Sequence, residues 1–489
     1  MSEGARAPVL AGAAALTQRE SDPDRALEPV DLMAQTLSLA ARDAGPGDWL
    51  ARADAILVPR GFWDYPDPGR LVAERVGARG ARSILTEVGV LQTTLFARAA
   101  ELIASGRAEV VLVTGGEAKF RSLCAERSGR VAALSAQPGA QPDEVLRPAA
   151  DIIHPLELER GIAMPVFQYA MLESALRALE GLGVEEQRRD VAEMWAAWSQ
   201  VASKNPHAWR REAVSAEEIV DAGDANRMIA FPYTKLHTSQ WNVDQAAGLI
   251  FCSRRAAAEA GLEESRLVHL RAVAESNQML PLVVREHPGA SPASRIAGRR
   301  ALDLAGLELQ EIQHYELYSC FPSAVRIQAR EFGLPLVPPR TLTGGMAFAG
   351  GPLNNFVLQA AVRMVETLRA DPGSHGFLTA VSGVLTKVGV SLWSMEPGEF
   401  RYEDVSEAVA RETPTREVVA CGQGEGRVVA CTVEHDRTGP SRGVALCDLA
   451  DGRRTIVETR DEALMEALAR EEFCGRPVRV HEDGRFEAI

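Results

Sequence analysis

The chain has 489 residues, 46% of them apolar and 25% charged, with a formal net charge of −14. Such a length exceeds one compact core and predicts two or three domains of ordinary globular composition. The acidic balance argues against nucleic acid and anionic membrane as main partners, while a local basic pocket for a phosphorylated ligand stays open.

The first residues, "APVLAGAAAL", are apolar but have almost no basic flank and run straight into "TQRESDP". They read as a first strand rather than a signal peptide. No apolar run approaches the ~18 residues of a membrane helix. In "TTLFARAAELIASGRAEVVLVTGGEA", Leu95, Ala99, Leu102 and Ile103 recur at helical spacing, Gly106 ends the helix, and "EVVLVTGG" reads as a buried parallel strand. With the strand-like "SILTEVGV" before it, this is a strand–helix–strand unit of an α/β protein.

Residues 120 to 245 turn richer in Arg, Glu, Trp and Pro, and hold the amphipathic helices "FQYAMLESALRALEGLG" and "RRDVAEMWAAWSQVASKNPHAW". They read as a helical excursion over the sheet. "VDQAAGLIFCSRRAAAEAG" then returns to strand and helix. The second half carries a counterpart unit, "LNNFVLQAAVRMVETLR" followed by the strand "HGFLTAVSG". Phe96, Ala99 and Ala100 parallel Phe356, Ala360 and Ala361 one residue out of step, a weak hint of duplication.

"AVARETPTREVV", residues 408 to 419, reads as a linker, with a protease-accessible boundary expected at 413–416. Beyond it, strand pairs broken by Gly and Asp-Gly turns, plus the helix "EALMEALAREEF", predict a small β domain of OB-like size over 416–489. Its many acids and few aromatics favour packing or partner docking over nucleic acid.

The seven cysteines are scattered and form no CxxC pair, as expected in a reducing cytosol. The nine histidines are dispersed, so no metal constellation is expected.

The stretches "VLVTGGEA", "NPHAW", "NRMIAFPYTKL", "VDQAAGLI", "SPASR", "YELYSCFPSAV", "TGGMAFAGGPLNN" and "LTKVGVSLWS", taken in order, resemble the thiolase superfamily. The nearest likeness is to bacterial type 1 thiolase-like proteins named acetyl-CoA acetyltransferases, related to sterol-carrier thiolases. The resemblance implies a duplicated, five-layered α-β-α-β-α fold: an N-terminal half at 1–265, including the excursion, a C-terminal half at 266–407, and the added β domain. It also implies a pocket for coenzyme A or an acyl-CoA, an acyl-transfer lineage, and a homodimer or a partner subunit.

Thiolases attack a thioester with a cysteine at a helix N-terminus. The resemblance puts that position at or next to Gly89, and no cysteine lies within thirty residues of it. Thr93 and Thr94, one turn later, are expected to cap or line the helix start. The family's Gly-His-Pro triplet falls on Gly350-Gly351-Pro352, which has no base. Its Asn-Glu-Ala-Phe or His-Asp-Cys-Phe quartet falls on Tyr318-Ser319-Cys320-Phe321. Its second cysteine falls on Val381, two before Gly383, and Val388 stands where relatives carry a histidine after Thr-Lys.

Thiolysis or Claisen condensation needs a nucleophile and an acid/base group, so ordinary thiolase activity is not expected. Tyr318 and Cys320 remain as the candidate reactive residues. Cys320 reads also as a small buried apolar residue, and Tyr318 as an aromatic wedge. Ser319, Gly350, Gly351, Pro352, Asn354 and Gly383 are the expected substrate-binding positions. For Gly351 a glycine-only backbone angle or tight packing competes with ligand approach. His207 and His237 read as surface or packing residues. Lys235 and Arg227 are candidates for coenzyme A phosphates, or for solvated ion pairs. An unusual acyltransferase or retro-aldolase, a non-catalytic acyl-CoA or lipid carrier, and a subunit completed by a partner are the competing functions.

Overall fold

The structure is a computed structural model that describes residues 3–489. The first half runs β1 (Pro8–Gln18), α1 (Pro29–Ala44), β2 (Ala55–Pro59), α2 (Pro68–Val76), β3 (Arg82–Thr86), α3 (Gln92–Ala104) and β4 (Val110–Ala118). The excursion follows with α4 (Lys119–Arg127), β5 (Glu144–Leu146), α5 (Pro155–Glu159), α6 (Pro165–Glu180), α7 (Val184–Lys204), α8 (Ala216–Val220), β6 (Met228–Ala230) and β7 (Tyr233–Thr234). β8 (Asp244–Ser253) and α9 (Arg254–Glu259) close this half. Its sheet has the order β1-β8-β4-β2-β3-β5, with β8 antiparallel to β1 and β4.

Every residue of β4 and β8 is buried, because helices cover both faces of the sheet. Glycines set how closely those helices lie. A methyl group on Gly12 of β1 would meet the Ala40 carbonyl of α1 at 2.1 Å, and one on Gly248 of β8 would meet the Leu37 amide at 2.9 Å. Only glycine lets α1 rest directly on these two strands.

The second half comprises β9 (His269–Ser276), α10 (Pro292–Ala305), β10 (His314–Glu316), α11 (Pro322–Phe332), α12 (Phe356–Ala370), β11 (His375–Ser382), β12 (Lys387–Ser394), β13 (Arg401–Asp404) and α13 (Ser406–Glu412). Its sheet has the order β10-β11-β12-β9-β13. α3 and α12 are packed between the two sheets, α1 and α2 cover the first sheet from outside, and α10, flanked by α11, covers the second. The expected five-layered duplicated α/β architecture is present. Its middle layer is formed by the two helices that the sequence pattern singles out.

The tail forms β14 (Gly424–His435), β15 (Pro440–Leu449), β16 (Arg454–Thr459), α14 (Glu462–Arg470), β17 (Pro477–Val480) and β18 (Phe486–Ala488). The strand order is β16-β15-β14-β17-β18, and Glu458 N donates to Gly484 O at 2.9 Å, which draws the two ends together as in a small barrel. This unit is built into the body. β6 of the excursion pairs with β14, Phe231 N donates to Val433 O at 2.8 Å, and Val184 and Phe231 belong to the tail's apolar core. The buried guanidinium of Arg177 on α6 binds Glu472 at 2.7 Å. Residues 413–416 are not a free tether either: Glu286 N donates to Pro414 O at 3.1 Å and Arg416 N to Val284 O at 2.8 Å.

Candidate functional site

α3 starts where the resemblance expects a nucleophile, at the end of the loop that follows β3. Gly89 is left-handed at φ +100°, and a methyl group there would lie 2.9 Å from Pro148 and 3.7 Å from Met279. Gly383, in the loop between β11 and β12, is left-handed at φ +68°, and a methyl there would lie 3.1 Å from Ile152. Pro148 and Ile152, from the stretch after β5, and Met279, after β9, therefore fill the space beside the two glycines. No side chain at either glycine carries chemistry.

What the sequence did not reveal is the polar support behind Gly89. The buried Lys387 ammonium at the start of β12 donates to the Gly89 carbonyl. Burial holds its pKa below the usual lysine range. Glu275 on β9 is wholly buried, and burial pushes its carboxyl up to about 7 although Thr93 and Thr94 donate to it and Lys387 stands near. The two threonines make no N-cap: α3 is capped by the backbone of Leu91 alone, and both hydroxyls are spent on Glu275. A methyl on Gly389 would sit 2.0 Å from the Thr93 hydroxyl, so this glycine on β12 makes the contact possible.

The quartet residues lie at the start of α11. Cys320 is buried beside the Tyr169 hydroxyl, and burial pushes its thiol up to about 12. A thiol so far from ionised is a poor nucleophile and a competent small core residue. Tyr169 stacks on Phe321 with centroids 4.7 Å apart and donates to the Gly383 carbonyl at 3.4 Å. Ser319 is buried and accepts from the Met346 amide at 3.1 Å, so it holds the glycine loop rather than facing open space. Tyr318 is partly exposed, with its ring edge-on to Phe356 at 6.0 Å. Its hydroxyl has no hydrogen-bond partner among the described residues, and burial raises its pKa.

The loop 343–352 owes its shape to Glu316. That buried carboxylate accepts from the amides of Leu342 and Thr343 at 2.6 and 2.9 Å and from the hydroxyls of Thr341 and Thr343 at 3.0 and 2.9 Å. Gly350 is left-handed at φ +109°, and a methyl on it would meet Gln245 Oε1 at 2.1 Å. Gly351 is not left-handed, which removes the glycine-only angle expected there and transfers it to Gly350. Gly351 N donates to Gln240 O at 2.8 Å, and an added methyl would lie 3.1 Å from Ser239. Pro352 is buried. Asn354 uses both ends of its amide internally, donating to Arg60 O at 2.7 Å and accepting from Gln92 at 2.9 Å. The loop is thereby tied to the first turn of α3.

Behind this loop opens a cleft of about 600 Å³, lined by Arg19, Arg210, Arg211, Lys235, Ser239 and Ala347 among others. Ser239 joins it to the quartet by donating to Cys320 O at 2.9 Å. Arg210, Arg211 and Lys235 are exposed and have no acidic partner among the described residues, and Glu212 is the one acid in the lining. Lys235 is thus at the cleft, whereas Arg227 does not line it. The doublet Arg210-Arg211 directly follows "NPHAW" and was the available sequence signal. His207 contacts Glu366 at 3.2 Å, and His237 is buried, held neutral by burial at a pKa of about 3. Among the described residues no group of His, Cys, Asp and Glu is placed to hold a metal ion, and no helix is long and apolar enough to cross a membrane.

Comparison with known proteins agrees with this architecture. Residues 404–485 match the thiolase-like protein type 1 additional C-terminal domain. The crystal structure of a monomeric SCP2-thiolase like protein type 1 from Mycobacterium smegmatis superposes with a TM-score of 0.83 at 28% identity, covering 99% of both chains. An acetyl-CoA acetyltransferase from Methanocaldococcus jannaschii is 28% identical over 265 residues, a region that spans 54% of this chain and 60% of that protein. The structure of an acetyl-CoA acetyltransferase from Syntrophomonas wolfei shares the fold, with a TM-score of 0.57 at 18% identity over 80% of this chain and 99% of that one. The chain thus has the thiolase fold, is similar to SCP2-thiolase-like and acetyl-CoA acetyltransferase proteins, and ends in a stretch that matches the thiolase-like protein type 1 additional C-terminal domain.

Proposed function

We propose that this protein binds a coenzyme A thioester and does not run ordinary thiolase chemistry. The cationic cleft carries the reading: three unpaired cations line a hollow that shares Ser239, Gln240 and Ala347 with the back of the glycine loop. In a chain of net charge −14 such a concentration of positive side chains favours a polyanion, and the phosphates of coenzyme A fit that chemistry. The thioester end would lie toward Cys320 and the glycine loop, where no ionisable nucleophile stands ready.

Calorimetric titration with coenzyme A, beside pantetheine as the arm without phosphates, tests the binding. Arg210→Ala combined with Arg211→Ala should weaken coenzyme A by about tenfold or more and leave pantetheine unchanged. Equal affinity of the variant and the parent for coenzyme A sinks the assignment. Thiolysis of acetoacetyl-CoA at a rate near the ~10 per second of an average enzyme would refute the catalytic half.

A second reading rests on the unpartnered Tyr318 hydroxyl. A phenol with free hydrogen-bonding capacity beside a thioester pocket suits proton transfer in a retro-aldol cleavage, and a solved neighbour of the same fold is the Ltp2-ChsH2(DUF35) aldolase. Release of an aldehyde or ketone from a β-hydroxyacyl-CoA, abolished by Tyr318→Phe, would favour it over a carrier role. Turnover that persists in Tyr318→Phe would remove it.

A further inference from the structure

A second hollow lies at the opposite end of α3. This cleft, about 540 Å³, is lined by Arg6, Ala104, Arg254, His269, Gly398 and Glu399 among others. Gly89 precedes the first turn of α3 and Ala104 is its last residue, so 13 residues at about 1.5 Å each place the two regions about 20 Å apart.

His269, the first residue of β9, is 1% exposed, and neither ring nitrogen has a hydrogen-bond partner among the described residues. The nearest acid, Glu264 Oε1, stands 3.6 Å from Nε2, too far for a hydrogen bond, and it is itself buried without one. Buried imidazoles are nearly always satisfied, because leaving the ring unpaired forfeits its hydration. The surroundings are cationic. Arg6 rests against Gly106, where a methyl would lie 2.9 Å from its Cζ, and it has no acidic partner among the described residues. Arg271 lies under Gly398, and its buried Nε is also unpartnered. Among the described residues Arg254 is paired with Glu264 Oε2 at 2.9 Å and Glu399 with Arg401 at 2.8 Å, so each of these two acids already holds a guanidinium. Arg254 and Arg271 add to burial in keeping His269 neutral, at a pKa of about 4.

We propose that this cleft is a binding site for a phosphate monoester, held by Arg6 and Arg254 at its rim and by a ring N–H of His269 at its back. Guanidinium groups suit phosphate oxygens, a neutral imidazole retains one donor, and the hollow has the size of small-ligand pockets, which leaves space for the esterified group. The assignment is independent of the coenzyme A reading, since the two clefts share no residue.

Inorganic phosphate, titrated into the full-length protein at constant ionic strength, is the probe, read by calorimetry and by the NMR signals of the His269 ring. Binding should shift those signals and raise the pH at which His269 titrates. Arg6 is only half-buried, so Arg6→Ala should keep the parent melting temperature while weakening phosphate by about tenfold. If the His269 signals stay fixed as phosphate is added, the site is refuted. Phosphate affinity that survives Arg6→Ala, or is lost in the Arg210→Ala and Arg211→Ala variant instead, overturns it equally. Should Arg6→Ala misfold, the His269 response of the parent protein decides alone.

Discussion

The ammonium of Lys387 binds the carbonyl of Gly89 across 298 residues of sequence and joins the two halves at the residue where the resemblance puts a nucleophile. A charged group held by a backbone carbonyl and backed by Glu275 fixes the start of α3 without any reactive side chain. Lys387→Met deletes the donor and leaves Glu275 without its nearest cation. A loss of about 1–3 kcal/mol is expected in urea denaturation. An unchanged midpoint would mean that the tie contributes nothing.

Glu275 should leave a mark on the pH dependence of stability. Its folded value, about 7, lies above the ordinary 4.5, so the folded state holds the proton more tightly than the unfolded chain does. The stability this supplies is complete below about 4.5 and is lost as pH rises through about 7. Glu275→Gln removes the proton and its linkage. Melting curves of variant and parent should therefore diverge in favour of the variant between about pH 5 and about pH 8. A difference independent of pH over that range would contradict the assignment.

Thiol reactivity separates Cys320 from the surface. Cys421 is exposed, while Cys320 is buried with its thiol raised to about 12. In native protein, iodoacetamide should label Cys421 first and Cys320 only on unfolding, as followed by peptide mass spectrometry. Early labelling of Cys320 would restore it as a nucleophile.

The two neighbouring glycines of the loop should respond unequally. Gly350→Ala strains a left-handed residue and drives a methyl onto Gln245, so a loss well above 1 kcal/mol is expected. Gly351→Ala needs only a small yielding of Ser239, and its cost should stay near about 1 kcal/mol. Thermal unfolding of the pair gives the order directly, and the reverse order would contradict the loop geometry.

Graded proteolysis should not free the tail quickly. The segment 413–416 is hydrogen-bonded to 284–286, and Phe231 and Val184 complete the tail's core. Cleavage between Thr413 and Arg416 should be slow, and a chain ending at Glu412 should expose apolar surface and bind a hydrophobic dye. A clean, early release of a folded 416–489 fragment would show the tail to be autonomous.

Local pattern made much of this fold legible. The apolar run "VVLV" at the start of β4 reflects a strand covered on both faces, and the helices after Gly89 and after Asn354 follow from their periodicity. The glycine loop was visible as a loop, and Gly351 as a position without a base. The partners of these residues were not. Nothing near "TEVGV" announces Lys387, nothing near "TGGMAF" announces Glu316, and no spacing rule places Pro148 against Gly89. Such contacts depend on how distant segments meet, and a single sequence carries that information only through its global packing. The tail divides in the same way: its strands are locally evident in the sequence, whereas the pairing of β14 with β6 is not.

β5 is only three residues long, yet it decides what the first sheet can offer to other molecules. It runs along the outer side of β3, and its Glu144 reaches both Arg82 and Arg98. The hydrogen-bonding groups that an unpaired β3 would present to a second copy are consumed by the chain itself, at any dilution. Strand-to-strand joining along β3 would first have to peel Glu144–Leu146 away and break both ion pairs. The excursion therefore does more than roof a pocket: it makes this border of the sheet self-sufficient.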